Sequence, residues 1–322
     1  MFTFFIQFCS FIFLIISNLY YLYKYSIIII FFICLHFSFL NNWKFKVCIC
    51  TVAKYENKYI MEFIDYYKKI GVDKVYLYDN NDINGENFDF LYNDISSGFI
   101  EIINYRGKKR PQRKIYNECY TKNKKIYKWL IFIDLDEYIV LKNYSDIHNY
   151  LSQKIFIKCD SIYLNWAIHT DNNLFYYDNR SLKERFPKVN KDLNFCLGKS
   201  IVKSNNKNIH IKSVHTLDNN LKICNGFGKI FKPKKSFCIV PDYETNFIDH
   251  YQHKSTEEFV EKLKLKGDCI YRNNMTIKYK KIFVYFKDNI ITNKKIKYIS
   301  KNLHLNSSYL KEYLKLKINF NF

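Results

Sequence analysis

The sequence predicts an α/β fold around a mostly parallel sheet, on three observations. Short apolar runs alternate with segments of helical period between residues 47 and 133. Carboxylates fall where those apolar runs stop, at Asp79 and at Asp134-Leu135-Asp136-Glu137. About 277 residues follow the apolar amino-terminal stretch, a length suited to one large α/β core with a small appendage.

The first 43 residues carry one charged side chain, Lys24, and residues 2–23 are continuously apolar and aromatic. About 20 such residues cross a hydrocarbon core, so residues 1–43 are expected to be a membrane anchor. No basic residue precedes the run and no small-x-small pattern follows it, which argues against a cleaved signal peptide. Ser26 to Leu40 is a shorter second run, either a second span or an interfacial continuation. Lys24, Lys44 and Lys46 leave the side of the membrane open.

Val47 to Ala53 reads as a buried strand. Ile60, Phe63, Ile64, Tyr67 and Ile70 then recur at helical spacing until Gly71 closes the helix. Lys74 to Tyr78 is a second strand, ending in the polar turn Asp79-Asn80-Asn81, and Phe99 to Asn104 a third. Pro111 sits where a first helical turn tolerates it and opens a helix to about Lys124, before the fourth strand, Trp129 to Ile133. Strands separated by helices imply parallel pairing, with ligand groups collecting at the strands' carboxyl ends. Further strands are expected at 161–168, 199–203, 208–215 and 237–240. Ser255-Thr256-Glu257-Glu258 is a capping box for a helix to about Lys266, stopped by Gly267. Residues 268–322 form a lysine-rich extension with helices expected at 292–303 and 307–317.

The net charge of +21 is a weak guide to partners. Of 51 basic residues six are arginines, leaving 45 lysines, while alanine occurs only at Ala53 and Ala167. Lysines scattered among Asn and Ile fit codon bias, so no nucleic-acid partner is expected. The ten cysteines show no CxxC zinc spacing, and buried free thiols are expected.

Two carboxylates delivered by a buried strand to a sheet edge suit a divalent metal, and oxygen ligands suit Mn²⁺ or Mg²⁺. The competing reading is a strand ending in a solvated acidic turn. The context favours the metal, because Cys50-Thr51-Val52-Ala53-Lys54-Tyr55-Glu56 with Glu62-Phe63, Gly71-Val72 and Tyr78-Asp79-Asn80 precede the motif. They are followed by Gln112, Tyr116-Asn117-Glu118-Cys119, and Trp129 with Phe132-Ile133-Asp134-Leu135-Asp136-Glu137-Tyr138. Then come Leu164-Asn165-Trp166, Glu184-Arg185-Phe186, Lys199-Ser200-Ile201-Val202, Val214-His215, and His250-Tyr251 ahead of Ser255 and Glu257-Glu258-Phe259. In this order they resemble glycosyltransferase family 92 and its family 2-like relatives, over residues 47 to 267.

The resemblance implies a GT-A fold, a nucleotide-sugar-binding α/β domain over about residues 44–267, with an Asp-x-Asp metal motif. It implies transfer of a sugar, with inversion, from a UDP-sugar to a glycan, glycolipid or glycoprotein acceptor at a membrane. Asp136 would bind the metal, Asp134 the ribose or a metal-bound water as well as the metal site, and Glu137 would orient the pair. The third ligand would be His250, with His215 as the alternative. Arg110, Gln112 and Arg113, at the opening of the Pro111 helix, would meet the diphosphate, and Glu56 and Asp79 the uracil or ribose. Asp171 and Glu184 lie in the region expected to hold the base, and Trp166 is placed to stack on the acceptor. Where the family often has Phe-Gly after the Trp, this chain has Ala167-Ile168-His169-Thr170-Asp171, in a loop expected near the acceptor. Two other classes fit parts of the pattern. A haloacid-dehalogenase phosphatase also sets Asp-x-Asp after an apolar strand, but in its first strand and followed by a pair such as Gly-Thr. A non-enzymatic, membrane-anchored basic protein would bind anionic lipid or nucleic acid through the lysine tail.

Overall fold

The computed structural model describes residues 23–26, 46–190, 197–204, 209–212, 215, 220–231, 243–265 and 275–318. The chain divides into two units, Met1–Phe45 and Lys46–Phe322. In the first, residues 23–26 form one helical turn, and the anchor expected over 1–43 otherwise lies outside the described residues. No helix among the described residues is long and apolar enough to cross a membrane.

The second unit begins as the periodicity predicts. Strand β1 (Val47–Ala53) leads to α1 (Ile60–Lys69), β2 (Lys74–Asp79), α2 (Tyr92–Ser96), β3 (Ile100–Asn104), α3 (Gln112–Asn123) and β4 (Trp129–Phe132). These strands pair in parallel in the order β3-β2-β1-β4. Gly71 ends α1 at φ +85°, a conformation a side chain resists. One face of the sheet packs against α3, burying Cys48, Cys50, Tyr78 and Leu130 with Ile115 and Tyr116. Such continuous burial is why these strands read as unbroken apolar runs.

Beyond β4 the sheet is mixed rather than parallel. Strand β5 (Glu137–Val140) follows β4 after only the four residues 133–136, far short of the dozen or so a parallel crossover needs. The chain turns at the acidic motif instead, and β5 pairs with a strand from the far half. After α4 (Ile147–Leu151) come β6 (Ser161–Ile168), α5 (Leu182–Arg185), β7 (Gly198–Lys203), β8 (Ile223–Cys224), β9 (Ile230–Phe231) and β10 (Phe247–His250). The sheet continues β4-β7-β6-β10-β5, with β7 antiparallel to both neighbours, β10 parallel to β6 and β5 antiparallel to β10. A Cβ at Gly198 would lie 2.0 Å from the Leu164 carbonyl oxygen, so only glycine permits β7 to approach β6 there. The strand expected at 237–240 lies outside the described residues, and residues 209–212 form no extended strand.

The expected free thiols are corrected at four positions. Cys50 of β1 is bonded to Cys119 of α3, and Cys159 to Cys224 of β8, while Cys48 is a buried free thiol. Sequence spacing is blind to such pairs, because the partners lie 69 and 65 residues apart and meet only once the sheet and α3 are packed.

Helix α6 (Thr256–Leu265) starts as predicted. The Glu258 carboxylate accepts from the Ser255 amide at 3.0 Å and the Ser255 hydroxyl from the Glu258 amide at 3.3 Å. Helices α7 (Met275–Asp288), α8 (Asn293–Leu303) and α9 (Ser307–Ile318) follow, and their apolar faces pack with Phe259 and Val260 of α6. The first of these has no strong sequence signal, since lysines interrupt its apolar positions.

Glu258 also ties α6 to α5 through a fully buried ion pair, Arg185 Nη1 to Glu258 Oε2 at 2.7 Å. Burial opposes ionisation of Glu258, but hydrogen bonds from Arg185, Ser255 and Tyr59 outweigh it and hold the carboxyl below its ordinary value. Arg185→Met is therefore expected to cost about 3 kcal/mol by leaving a buried charge unpaired. The folded-state value is depressed, so this contribution is full above about pH 4.3 and fades as pH falls through the folded value. Denaturant midpoints of the two proteins should accordingly converge once the pH falls below the depressed folded-state value.

Candidate functional site

The loop between β4 and β5 is held by its own side chains. The Glu137 amide donates to the Asp134 carbonyl at 3.2 Å, and the Asp134 amide donates to Glu137 Oε2 at 2.9 Å. Glu137 is fully buried, and burial pushes its carboxyl well up, with Asp134 and Asp136 adding to the effect against Lys199. Tyr67 of α1 fixes the strand behind it, donating to the Glu137 carbonyl and accepting from the Ile139 amide. Glu137 therefore shapes the turn while the two aspartates face outward from it.

Asp134 Oδ2 accepts from Lys199 Nζ of β7 at 2.8 Å, and Oδ1 accepts from Gln112 Nε2 at 2.6 Å. Gln112 is the first residue of α3, so this bond brings the amino end of that helix to the motif. Desolvation opposes ionisation of Asp134, but Lys199 overcomes it and the carboxyl is held below its usual value.

Asp136 is more enclosed. Its Oδ2 accepts from Lys262 Nζ of α6 at 3.0 Å and lies 3.5 Å from Lys254 Nζ, while Oδ1 lies 3.6 Å from His250 Nε2. Burial opposes its ionisation, yet Lys262, Lys254 and His250 hold the carboxyl well below the usual range. Register explains the imidazole's position. As the last residue of β10, His250 pairs with Glu137 of β5 on one side and Ile168 of β6 on the other. Burial lowers its pKa, and Lys262 adds to this while Asp136 pulls the other way, so the ring is set toward its neutral, ligating form. Its Nδ1 has no hydrogen-bond partner among the described residues.

Three lysines the sequence did not single out as functional thus ring the motif. Among 45 lysines their identity carries no signal; only the capped helix and the family order of residues 199–202 hinted that these positions are fixed.

The other expected residues are distributed as follows. Asp79 sits at the end of β2, bonded to Arg106 Nη1 at 2.7 Å and to the Asn81 amide, while Arg106 also holds the carbonyls of Gly85 and Glu86. Glu56 is buried beyond the end of β1, and its charge acts on Lys262. Arg110 and Arg113 are exposed beside the amino end of α3. His215 Nδ1 donates to the Gly198 carbonyl at 3.2 Å, and burial with Lys199 lowers its pKa to about 4. Trp166 is buried, its ring 4.2 Å from that of His250, so it supports the imidazole. The structure does not bring Asp171 and Glu184 to the motif. Asp171 is buried against Lys295 and Tyr285 at the foot of the carboxyl-terminal helices, and Glu184 closes the capping box of α5 on Ser181.

A cavity of about 310 Å³ opens beside Asp136, lined by Tyr55, Tyr59, Glu86, Lys254, Glu258 and Lys262. Tyr55 and Lys254 adopt left-handed φ values of 53° and 57°, costly for side chains of this size, and at Tyr55 the amide is held by Asn81 Oδ1 at 2.7 Å. The cavity lies beyond the carboxyl ends of β1 and β2, where parallel sheets bind ligands, and Lys254 and Lys262 of its lining contact Asp136.

Residues 44–307 match the family model of glycosyltransferase family 92. The chain belongs to glycosyltransferase family 92. A family 92 protein of Oryza sativa subsp. japonica is 27% identical over 119 residues, covering 33% of this chain and 20% of that protein. One from Ricinus communis is 25% identical over 97 residues, covering 30% and 17%. The matched part of this family 92 chain thus spans about a fifth of those relatives' length. Among solved structures, Staphylococcus aureus TarS 1-349 aligns over 85% of this chain and 71% of its own, at 12% identity and a TM-score of 0.34. GalNAc-T7, crystallised with UDP, GalNAc and Mn²⁺, aligns over 39% and 23%, at 13% identity and a TM-score of 0.28.

Proposed function

We propose that this family 92 chain transfers a sugar from a UDP-sugar to a glycan, glycolipid or glycoprotein acceptor, on a GT-A-type domain. The observation that carries the reading is the convergence of Asp136 and His250, with Asp134 held by Lys199, next to two lysines, Lys254 and Lys262, that line the cavity.

Among the described residues no three His, Cys, Asp or Glu side chains form a closed metal site. Mn²⁺ and Mg²⁺ at nucleotide sites do not require one, since one or two protein carboxylates and the substrate's phosphates complete the shell. The donor chemistry fits: two ionised aspartates, an imidazole biased toward its neutral form, and a spot at Asp136 already met by cationic groups. Asp136 and His250 would hold the ion, with Asp134 at its edge. The ion would supply Lewis-acid neutralisation of the departing diphosphate. Lys199 keeps Asp134 ionised, and Gln112 orients it and brings the amino end of α3 toward the phosphates. Glu137, buried behind the loop, keeps the two aspartates in register.

We also propose that residues 2–23 attach the chain to a membrane, with residues 46–322 in an oxidising compartment. The apolar sequence supports the first statement, and the two buried disulfides support the second.

The test is to incubate the purified full-length chain with a panel of UDP-sugars, Mn²⁺ and candidate acceptors while following UDP release. One donor is expected to give release that EDTA abolishes. No release from any donor would refute the reading.

A further inference from the structure

We propose that Lys262 is the residue that receives the donor's diphosphate, and that without donor it serves as the counter-ion of Asp136. This rests on the reading of Asp136 as a cation ligand.

Two ammonium groups share Asp136 Oδ2, and they are not equivalent. Lys254 is 4% exposed along its side chain and lies 3.5 Å from the carboxylate, with the Tyr59 ring 4.3 Å from its Nζ. Lys262 donates at 3.0 Å to Asp136 and at 3.0 Å to the Gln252 carbonyl, yet its side chain is 35% exposed and lines the cavity. Its backbone is fixed, because the capping box and the Arg185–Glu258 pair pin the first turn of α6. A four-carbon stem on a fixed helix can therefore carry the ammonium from Asp136 into the cavity without moving the fold. The two other lysines that line the cavity are committed elsewhere, Lys58 to Glu261 at 2.8 Å and Lys264 to Asn302 at 3.0 Å.

Of the two ammonium groups on Asp136 Oδ2, the half-exposed one on Lys262 is the one that can exchange this carboxylate for another anion entering the cavity. A nucleoside diphosphate would offer Lys262 such an anion. A divalent ion arriving alone at Asp136 meets two cations at short range, whereas one arriving with a diphosphate brings the group that draws Lys262 away. Ion and nucleotide should thus each strengthen the other's binding by the same factor, because linkage is reciprocal.

The test uses the full-length chain, with Mn²⁺ binding read from the EPR signal of the free ion and UDP binding from calorimetry, in the wild type, Lys262→Met, Lys262→Arg and the exposed-charge control Lys280→Met. For the wild type, Mn²⁺ is expected to bind about tenfold or more tightly with UDP present. Lys262→Met should bind Mn²⁺ about tenfold more tightly without UDP and bind UDP about tenfold more weakly, with the circular dichroism of the wild type. Lys262→Arg should retain UDP affinity, and Lys280→Met should match the wild type. Affinities of Lys262→Met within twofold of wild type for both ligands would overturn the proposal. If the wild type binds no Mn²⁺ even with UDP, the reading of Asp136 as a cation ligand fails. UDP binding measured in EDTA then decides Lys262 by itself: a loss in Lys262→Met upholds its diphosphate role, and no loss overturns it.

Discussion

Asp136→Asn is expected to lower kcat/KM for sugar transfer by about a thousandfold while leaving the fold intact, since the lost interaction is charge stabilisation in the transition state. The substitution keeps the side chain's size and its acceptor toward Lys262 but removes the charge that Lys254, Lys262 and His250 converge on. Asp134→Asn should cost less, because Asp134 is bound laterally by Lys199 and Gln112 and its side chain is 34% exposed. Steady-state rates of UDP release, with circular dichroism as the fold control, measure both. Equal losses at the two positions would show that the loop acts as a unit rather than through Asp136.

Removing the Cys50–Cys119 bond should cost about 4 kcal/mol, the loop-closure entropy expected for partners 69 residues apart. The bond joins the buried middle of β1 to α3, whose first residue positions Asp134, so the same change should loosen the amino end of α3. Guanidinium unfolding of the Cys50→Ala, Cys119→Ala double variant checks this. Cys48→Ala, which removes only a buried thiol, serves as the control and should cost about 1 kcal/mol. A double variant within about 1 kcal/mol of wild type would show that the bond is not a structural staple.

The sequence carried the first half of the fold well, because four buried strands alternating with helices leave unbroken apolar runs and clear punctuation at Gly71 and Pro111. It failed at β5, where Glu137 and Tyr138 read as the tail of a motif although they begin a strand, pinned by Tyr67 and paired with β10. That Asp136 and His250 meet was expected from the sequence, and the structure brings them to 3.6 Å. The lysines that neutralise the aspartates were not legible, since pairing of Lys199, Lys254 and Lys262 with the motif is a property of three separate elements meeting. Asp171 shows the converse. A carboxylate in the region expected to hold the base lies buried against Lys295 and Tyr285, away from the motif. The disulfides were hidden because strand β1 and helix α3 place their cysteines together only after packing.

A nucleoside diphosphate in the cavity lined by Lys254 and Lys262, bound together with a divalent ion at Asp136, makes UDP affinity depend on both the ion and this carboxylate. Calorimetric titration of the full-length chain with UDP, with and without Mn²⁺, tests it most directly. Saturable binding is expected, which Mn²⁺ strengthens and which Asp136→Asn releases from Mn²⁺ dependence. UDP binding indifferent to both Mn²⁺ and Asp136→Asn, or no binding at all, would contradict it.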